Sequence, residues 1–322
     1  MLPELTAIAA TQHGVFLRRQ AVARGYNDDE IKRFTRSGEW VRLRRGAYCE
    51  RAIFDACNED ERHTLKTRAV LLVLDGPAAA SHQTAAAILP VVHWRVPLDD
   101  VHVTRTEIHS GRNVAGVSHH EASLSDRELT EVDGIVVTTL ERTPLDLARD
   151  SGFVPGLVTA DSALHHGADA ELMTALANDM TDWCGSRTVR AVVSRADKGA
   201  QSVGETLSRI AVVEAGFPAP ITQYEVRAGE FLAFVDLLIP EYNLAIEFDG
   251  RLKYRRKRDP SDPDIEDGEL VWAEKQREDR LRELGYEVVR IIWAEFFGAR
   301  RAMLLRRIQD GARRSLLRRP AV

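Results

Sequence analysis

Apolar positions at the start of the chain recur at the spacing that predicts amphipathic helices. The pattern predicts three helices, at residues 3–12, 18–24 and 28–37. Asn27 stands directly before the third helix, and Glu30 follows it three positions later, which is the order of a capping box. Gly25 and Gly38 stand where the second and third helices are expected to end.

The periodicity then changes to the alternation of a short strand at residues 40–43. The next five residues, Arg44-Arg45-Gly46-Ala47-Tyr48, have the composition of a tight turn and a returning strand. Three helices followed by a small hairpin are the element order of a winged helix-turn-helix. We therefore predict a winged-helix DNA-binding domain at residues 1–50.

Both periodicities occur further along the chain, which predicts a mixed architecture. In residues 60–196 the pattern predicts helices near 63–74, 81–89, 158–166 and 172–180, strands near 101–104 and 134–138, and a helix that opens at Thr143-Pro144. In residues 200–316 it predicts helices near 202–215, 271–284 and 304–317, strands near 222–226, 231–239, 244–248 and 287–292, and a charged loop at 255–267. The predicted fold class is α/β (α+β overall), with an α/β middle region and a C-terminal α/β domain.

Composition limits the classes of protein that remain. The net charge of −5 over 322 residues means that any nucleic-acid surface must be local. Three isolated cysteines without a CxxC pair argue against a disulfide framework or a zinc finger. We expect no signal peptide, because arginines at 18, 19 and 24 precede any long apolar run, and no membrane span. A cytoplasmic protein is therefore expected.

Basic residues are concentrated in the predicted winged helix, although the whole chain is acidic. Between positions 18 and 45 the sequence contains nine basic residues and four acidic ones. Lys32, Arg33 and Arg36 share one face of the third helix, and Arg44 and Arg45 are expected at the hairpin tip. The candidate DNA contacts are Arg18, Arg19, Lys32, Arg33, Arg36, Arg44 and Arg45. The alternative is a solvated helix face with ordinary surface arginines.

The first 185 residues resemble the AbiEi-type antitoxins. The resemblance rests on the wing at Arg44–Tyr48 and on three segments of the middle region, Ser81-His82-Gln83-Thr84-Ala85-Ala86, Gly134-Ile135-Val136-Val137-Thr138-Thr139 and Glu141-Arg142-Thr143-Pro144-Leu145-Asp146-Leu147. It implies a DNA-binding regulator of the antitoxin type.

Carboxylates interrupt two apolar strands of the predicted C-terminal domain. Asp236 lies within residues 231–239, and Glu247 and Asp249 lie within 244–249. If residues 240–243 form a symmetric hairpin loop, Asp236 lies opposite Glu247, and the period of two places Asp249 on the same face. Like charges opposed on buried strands are unfavourable, and Mg²⁺ or Mn²⁺ would remove the conflict. We predict a metal site at these three residues.

Two further residues complete the predicted site. Lys253 follows Asp249 closely enough to face the same pocket and to stabilise developing phosphate charge. Glu205 has two interpretations, because Ser202-x-x-Glu205 is a capping box and could equally support the metal. For the acids, the alternative to metal binding is ion pairing with Arg251, Arg277 or Arg280. The histidines at 82, 119–120 and 165–166 show no metal-ligand spacing and are expected in core or surface roles.

Residues 200–300 resemble PD-(D/E)xK nucleases, and more closely the very-short-patch-repair-endonuclease-like domains. The matching residues are Ser202-x-x-Glu205, Gly216-Phe217-Pro218, Pro220, Gln223, Val235-Asp236, Ile246-Glu247-Phe248-Asp249-Gly250, Arg277, Leu281, Gly285 and Val288-Val289-Arg290. The lysine usual two residues after the acid is replaced by Asp249, and Lys253 stands where such domains often have histidine. The resemblance implies a restriction-endonuclease-like fold with catalytic Asp236, Glu247, Asp249 and Lys253.

Two hypotheses follow from the sequence. In the first, the protein binds DNA through its winged helix and cleaves it at a metal site in the C-terminal domain. In the second, it is an antitoxin-like repressor whose nuclease-like domain is inactive and serves binding or dimerisation. The second hypothesis implies a cognate toxin or self-association as the protein partner, besides DNA.

Overall fold

The chain divides into two compact units, Met1–Ala196 and Asp197–Val322, which are described separately. The structure is a computed structural model that describes residues 1–74, 76–106, 111–250 and 267–318, without the side chains of 267–271 and 273. None of the helices in these ranges is both long enough and apolar enough to cross a lipid bilayer.

The first unit begins with a head of three helices and three strands. Its elements are α1 (Pro3–Thr11), β1 (Val15–Leu17), α2 (Arg18–Ala23), α3 (Asp28–Ser37), β2 (Trp40–Arg44) and β3 (Ala47–Glu50). The strands form an antiparallel sheet in the order β1-β3-β2. This arrangement is a winged helix, and the three predicted helices are confirmed. Strand β1 was not predicted, because three wholly buried residues are too few to show a period.

Local hydrogen bonds determine where α3 begins. The side chain of Asn27 accepts hydrogen bonds from the backbone N–H groups of Asp29 and Glu30 at 3.0 and 2.9 Å. The Glu30 carboxylate accepts one from the backbone N–H of Asn27 at 2.9 Å. The predicted capping box is therefore confirmed. The helix ends at Gly38, whose φ of 80° is the left-handed conformation that glycine adopts without strain.

An aromatic cluster holds the head together. Trp40, only 3% exposed, lies 4.8 Å from both Phe16 and Phe34 between ring centroids. Tyr26 packs against the same indole at 5.1 Å. Because these rings come from β1, β2, α3 and the turn between α2 and α3, they fix α3 relative to the sheet.

The rest of the first unit surrounds a six-stranded mixed sheet. Its elements are α4 (Arg51–Ala56), α5 (Glu59–Leu71), β4 (Ala79–Ala80), α6 (His82–Ile88), β5 (Val101–Arg105), β6 (Arg112–Asn113), β7 (Val117–Glu121), β8 (Leu129–Val132), β9 (Ile135–Thr138), α7 (Thr143–Asp150), α8 (Phe153–His165), α9 (Ala170–Asp179) and α10 (Ser186–Val193). The strand order is β6-β7-β5-β4-β9-β8. Leu65 and Ala69 of α5 pack against Val15 and Leu17, which joins the head to this region in one core.

A buried network of ion pairs stabilises helix α7. Arg142 is 2% exposed and donates a hydrogen bond from Nε to the Asp146 carboxylate at 2.9 Å. Its other end pairs with Glu128. Burial raises the pKa of Asp146, and the Arg142 charge opposes that rise. The second carboxylate oxygen of Asp146 has no hydrogen-bond partner among the described residues.

The described residues of the second unit form a four-stranded sheet and three α-helices. Its elements are α11 (Val203–Glu214), β10 (Ile221–Ala228), β11 (Phe231–Ile239), β12 (Leu244–Asp249), α12 (Asp267–Glu283), β13 (Glu287–Ile292) and α13 (Ala299–Arg318). The strand order is β10-β11-β12-β13, antiparallel except for the parallel pair β12–β13. The predicted strands and helices of this region are therefore confirmed, with small differences in their ends. The predicted charged loop lies almost entirely outside the described residues.

Close packing of α11 on the sheet depends on a glycine. A Cβ atom added to Gly204 would lie 2.1 Å from the ring of Phe248 on β12. Gly311 of α13 approaches Val289 nearly as closely, where an added Cβ would lie at 2.9 Å. These contacts bring α11 onto β12 and α13 onto β12 and β13.

Candidate functional site

Helix α3 presents the predicted basic face to solvent. Lys32, Arg33 and Arg36 are all exposed, whereas Ile31 is buried against the aromatic cluster. Lys32 pairs with Asp29 at 3.2 Å, but both side chains are well exposed, so the pair adds little stability. The three cations therefore remain accessible to a ligand.

The other predicted DNA contacts differ in their surroundings. Arg18 and Arg19 are exposed on α2, where Arg18 pairs with Asp28 and Arg19 donates a long 3.5 Å hydrogen bond to the carbonyl of Leu72. Arg45 is exposed in the turn between β2 and β3.

Arg44 requires a correction, because it is not at the tip of the hairpin. It is the last residue of β2 and is only half-exposed. Its Nη1 is buried without a hydrogen-bond partner among the described residues, and burial lowers the pKa of its guanidinium. The strand extends one residue further than the alternation predicted, and this extension draws Arg44 inward.

The predicted carboxylates lie across adjacent strands of the second unit. The pairing of β11 with β12 runs from Ile239–Leu244 to Leu237–Ile246, and Asp236 and Glu247 are the residues that directly follow the last pair. The register follows from a short turn at Pro240–Tyr242, after which Asn243 adopts a left-handed φ of 43°. On the other side, β12 pairs Glu247 with Arg290 of β13. Asp236, Glu247 and Arg290 therefore come from three neighbouring strands, with Glu247 and Arg290 directly paired.

Asp236 and Glu247 have different hydrogen-bond partners. The Asp236 carboxylate accepts a hydrogen bond from the backbone N–H of Phe248 at 2.8 Å. Glu247 accepts one from the Arg277 guanidinium at 2.6 Å and lies 3.7 Å from Arg290. The ion pair with Arg277, which the sequence left as an alternative to metal binding, is therefore present.

Burial sets the electrostatics of the two acids. It raises the pKa of Asp236 to about 6, the Phe248 N–H opposes this rise, and the charges of Glu205 and Glu247 add to it. Burial also raises the pKa of Glu247, against the effect of Arg277 and Arg290. Both carboxylates would therefore be stabilised as anions by an additional positive charge.

The acids line a polar cleft of about 180 Å³. Its walls are Asp236, Glu247, Phe248, Asp249, Gly250, Glu274, Arg277 and Arg290. Carboxylate oxygens are the donors that hard divalent cations prefer, so the residue types fit Mg²⁺ or Mn²⁺. Within the described residues, however, the acids of this cleft do not bring three ligand oxygens within 4.8 Å of one another. Arg277 occupies Oε1 of Glu247, so a cation bound through this oxygen would have to displace the guanidinium.

Glu205 acts as a helix cap. Its carboxylate accepts hydrogen bonds from the Ser202 hydroxyl at 2.8 Å and from the backbone N–H of Gln201 at 3.0 Å, and Gln223 donates a third at 3.1 Å. The Ser202 hydroxyl in turn accepts the backbone N–H of Glu205 at 3.2 Å. Ser202 is therefore the N-cap of α11, and one half of the predicted capping box is confirmed, since the Glu205 carboxylate binds the N–H of Gln201 in place of that of Ser202. A metal role for Glu205 stays a prediction.

Lys253 and Arg251 lie outside the residues that the structure describes. The predicted catalytic role of Lys253 and the alternative pairing of Arg251 with the acids therefore stay predictions.

One family model matches the chain, and it matches the head. Residues 3–51 match the family described as "Transcriptional regulator, AbiEi antitoxin". No curated protein matches the sequence. The match agrees with the winged-helix fold and supports a DNA-binding regulator. The middle and C-terminal segments that resemble antitoxins and repair endonucleases lie outside the matched residues.

A histidine cluster in the first unit was missed by the sequence analysis. His82, His102 and His120 each offer a ring nitrogen, and the three nitrogens lie within 4.8 Å of one another. They come from the start of α6 and from strands β5 and β7, about twenty residues apart in the chain. Metal-ligand spacing along the sequence cannot reveal such a group, because the strand pairing alone brings its members together.

Proposed function

We propose that the protein is a transcriptional regulator whose head binds duplex DNA with α3 in the major groove. The observation that carries this proposal is the exposed trio Lys32, Arg33 and Arg36 on the second helix of a winged helix-turn-helix. This helix is the one that enters the groove in such domains. The match of residues 3–51 to a regulator family supports the same function.

The remaining basic residues of the head suit contacts with the phosphate backbone. Arg18 and Arg19 lie on the helix before α3, and Arg45 lies on the wing. Phosphate contacts fix the orientation of a protein on the duplex, whereas side chains at base edges select the sequence. We assign positioning to these three arginines and base contact to α3.

The family description names an antitoxin, so we further propose a cognate toxin as the protein partner. A promoter that the protein itself represses is the corresponding DNA target. Footprinting on the DNA upstream of its own gene should show protection, and absence of protection there would contradict self-regulation without affecting DNA binding in general.

DNA binding by α3 can be tested with matched charge removals. The variant Arg33→Gln/Arg36→Gln should bind duplex DNA at least tenfold more weakly than the wild type in a fluorescence anisotropy titration. The control Arg187→Gln/Arg190→Gln removes the same charge from exposed positions of α10. Equal weakening in both variants would show that the effect is one of overall charge and would overturn the role of α3.

The second unit favours a second candidate function, cation-dependent cleavage of a phosphodiester. The specific observation is the polar cleft that contains Asp236, Glu247 and Asp249. We propose these three residues as ligands of Mg²⁺ or Mn²⁺, with Glu205 close enough to Asp236 to influence its pKa. A bound divalent ion would supply an activated water and stabilise negative charge on the phosphate.

The protein's own groups would prepare this chemistry. The Phe248 N–H fixes the Asp236 carboxylate. Arg277 lies close to Glu247, and once the Arg277 guanidinium is displaced from Glu247 it can contact a phosphate. The sheet, in which three antiparallel strands are followed by a parallel one, supports the resemblance to restriction-endonuclease-like domains.

Plasmid cleavage tests the second function. The wild type should nick plasmid DNA with Mn²⁺ or Mg²⁺, and Asp236→Asn should lower the rate by about 10²–10³. The control Glu241→Gln removes a charge from the exposed turn between the same two strands. Because the head is unchanged, all these proteins should bind DNA equally well. Binding without cleavage by any divalent ion would leave the regulator function intact and overturn the nuclease function.

A further inference from the structure

We propose that His82, His102 and His120 form a binding site for a divalent transition-metal cation of the Zn²⁺ class. This site lies in the first unit and is independent of the carboxylate cleft and of DNA recognition. Three imidazoles are a common ligand set for such ions, whereas Mg²⁺ and Ca²⁺ prefer oxygen ligands.

Strand pairing places the three side chains together. Strands β5 and β7 are parallel and pair Thr104 with His120 and His102 with Ser118. His102 and His120 are therefore on the same face of the sheet, two positions apart in register. His82 reaches the same face from the end of β4, which runs antiparallel to β5.

The distances between the ring nitrogens suit a shared cation. One nitrogen from each of the three histidines lies within 4.8 Å of the others, and His102 Nδ1 and His120 Nε2 are 2.9 Å apart. Zn–N bonds of about 2.0–2.1 Å place two nitrogens of a tetrahedral site roughly 3.4 Å apart. The rings of His82 and His120 are stacked at 3.7 Å between centroids, so one of them has to rotate before both can direct a nitrogen at one ion. The proton between His102 and His120 has to leave or move to another ring nitrogen when a cation takes its place.

The protein holds His82 in a strained conformation that a core histidine does not require. Its φ of 55° lies in the left-handed region, which is unfavourable for a residue with a side chain. Its Nδ1 lies 3.0 Å from the Ser81 hydroxyl, which itself accepts a hydrogen bond from Thr104 at 2.8 Å. Partners of this kind orient histidine ligands in metal sites, since they fix the ring through its second nitrogen.

Burial shields most of the cluster from bulk water. His82 is 4% exposed and His102 8% exposed, so few water molecules can compete for an ion bound between them. His120 is only half-buried, which gives an ion access from solvent.

Charged groups around the histidine cluster have opposite effects on a cation bound there. Burial lowers the pKa of His102 and His120, and the Asp150 carboxylate opposes this by raising the pKa of both. It accepts a hydrogen bond from the side-chain amide of Gln83 at 3.2 Å. Arg142 and Arg149 oppose a cation at His82. Arg142 pairs with Asp146 and Glu128, and Arg149 lies 3.7 Å from the Asp146 carboxylate, so these acids partly offset both arginines, whereas Asp150 favours a positive charge at His102 and His120.

Metal titration of the full chain, freed of any histidine tag and treated with a chelator, tests the site. Calorimetry with Zn²⁺ should show one tight site per chain in the wild type. His120→Gln should weaken it by at least about 100-fold, because a lost ligand is more damaging than a lost supporting hydrogen bond. Thermal unfolding of the wild type should shift upward by several degrees with Zn²⁺, and that of His120→Gln should not.

Two control variants distinguish this site from a neighbouring histidine and from the carboxylate cleft. His119→Gln changes the adjacent residue of β7, whose side chain faces the other side of the sheet, and should leave the tight site intact. Asp236→Asn removes a cleft carboxylate and should also leave it intact. Equal Zn²⁺ affinity in the wild type and His120→Gln, or loss of the tight site in Asp236→Asn, would overturn the proposal.

A measurement on the wild type alone guards against misfolded variants. Co²⁺ bound to the wild type should give visible absorption bands characteristic of nitrogen ligands in a low-coordinate site. A Co²⁺ spectrum identical to that of the aqueous ion, or no binding of Zn²⁺ to the wild type, would show that the three histidines are a hydrogen-bonded part of the core without metal.

Discussion

Arg277 donates a hydrogen bond from Nη2 to Oε1 of Glu247 at 2.6 Å, so an arginine already neutralises the most buried acid of the C-terminal cleft. An ion pair and a bound cation compete for Glu247, because each can stabilise a carboxylate that is removed from water. Their competition gives the cleft a measurable signature.

Replacing Arg277 should expose this competition. Without divalent ions, Arg277→Met should destabilise the second unit by about 1–3 kcal/mol, because Glu247 would stay buried without its partner. If the cleft binds cations, Mn²⁺ should raise the melting temperature of Arg277→Met more than that of the wild type. The control is Arg280→Met, on the same helix, where the arginine pairs with an exposed glutamate. Equal Mn²⁺ responses in all three proteins would argue against a metal at Glu247.

Two neighbouring arginines of the wing should behave differently in DNA binding. Arg45→Gln should reduce the slope of log K against log salt by about 0.9, the value for one lost phosphate contact. Arg44→Gln should change the slope less, because part of the Arg44 guanidinium is buried. The measurement is a set of binding isotherms at several salt concentrations. An unchanged slope in Arg45→Gln would remove the wing from the DNA interface.

The buried network at α7 should contribute far more to stability than a surface pair. Arg142→Met should destabilise the first unit by about 3–5 kcal/mol, because Asp146 and Glu128 would stay buried without their partner. Arg127→Met, which removes the exposed pair with Asp179, should change the free energy of unfolding by less than about 1 kcal/mol. Urea denaturation measures the free energy of unfolding of both variants. Similar losses of stability in the two variants would contradict the assigned difference in burial.

Acid should weaken the first unit through His63. The ring donates from Nδ1 to the Leu98 carbonyl at 3.1 Å, which leaves Nε2 as the acceptor of the Thr84 hydroxyl at 2.8 Å. Burial lowers the pKa of His63 to about 4, against an unfolded value of about 6.5. The unfolded chain therefore binds the proton first, and stability is lost as the pH falls from about 6.5 to about 4, by up to about 3 kcal/mol.

The contribution of His63 can be isolated with one variant. His63→Gln should unfold with a smaller dependence on pH between 7 and 4.5 than the wild type, both treated with a chelator. The remaining dependence reports the other buried histidines, since burial also lowers the pKa of His102 and His120. A pH profile unchanged by His63→Gln would show that this ring does not stay neutral in the folded protein.

Features that depend on nearby residues could be predicted from the sequence. The cap formed by Asn27 and Glu30 follows from their spacing, because side chain and backbone meet within a single helical turn. The short connection likewise brings Asp236 and Glu247 to the end of the paired segment of β11 and β12, whereas their direct opposition stays a prediction. Both features depend only on local geometry.

Features that depend on distant residues were decided by the tertiary structure. Arg277 reaches Glu247 from a helix thirty positions away, and Arg44 is drawn inward beside a strand of the middle region that contains His119. His82, His102 and His120 meet only because β5 and β7 pair in parallel and β4 ends beside them. The order of strands in a sheet depends on burial of the whole unit, so the sequence determined the strands of the second unit and the cap of α3, whereas short strands such as β1 and the choice of neighbouring strands came from packing.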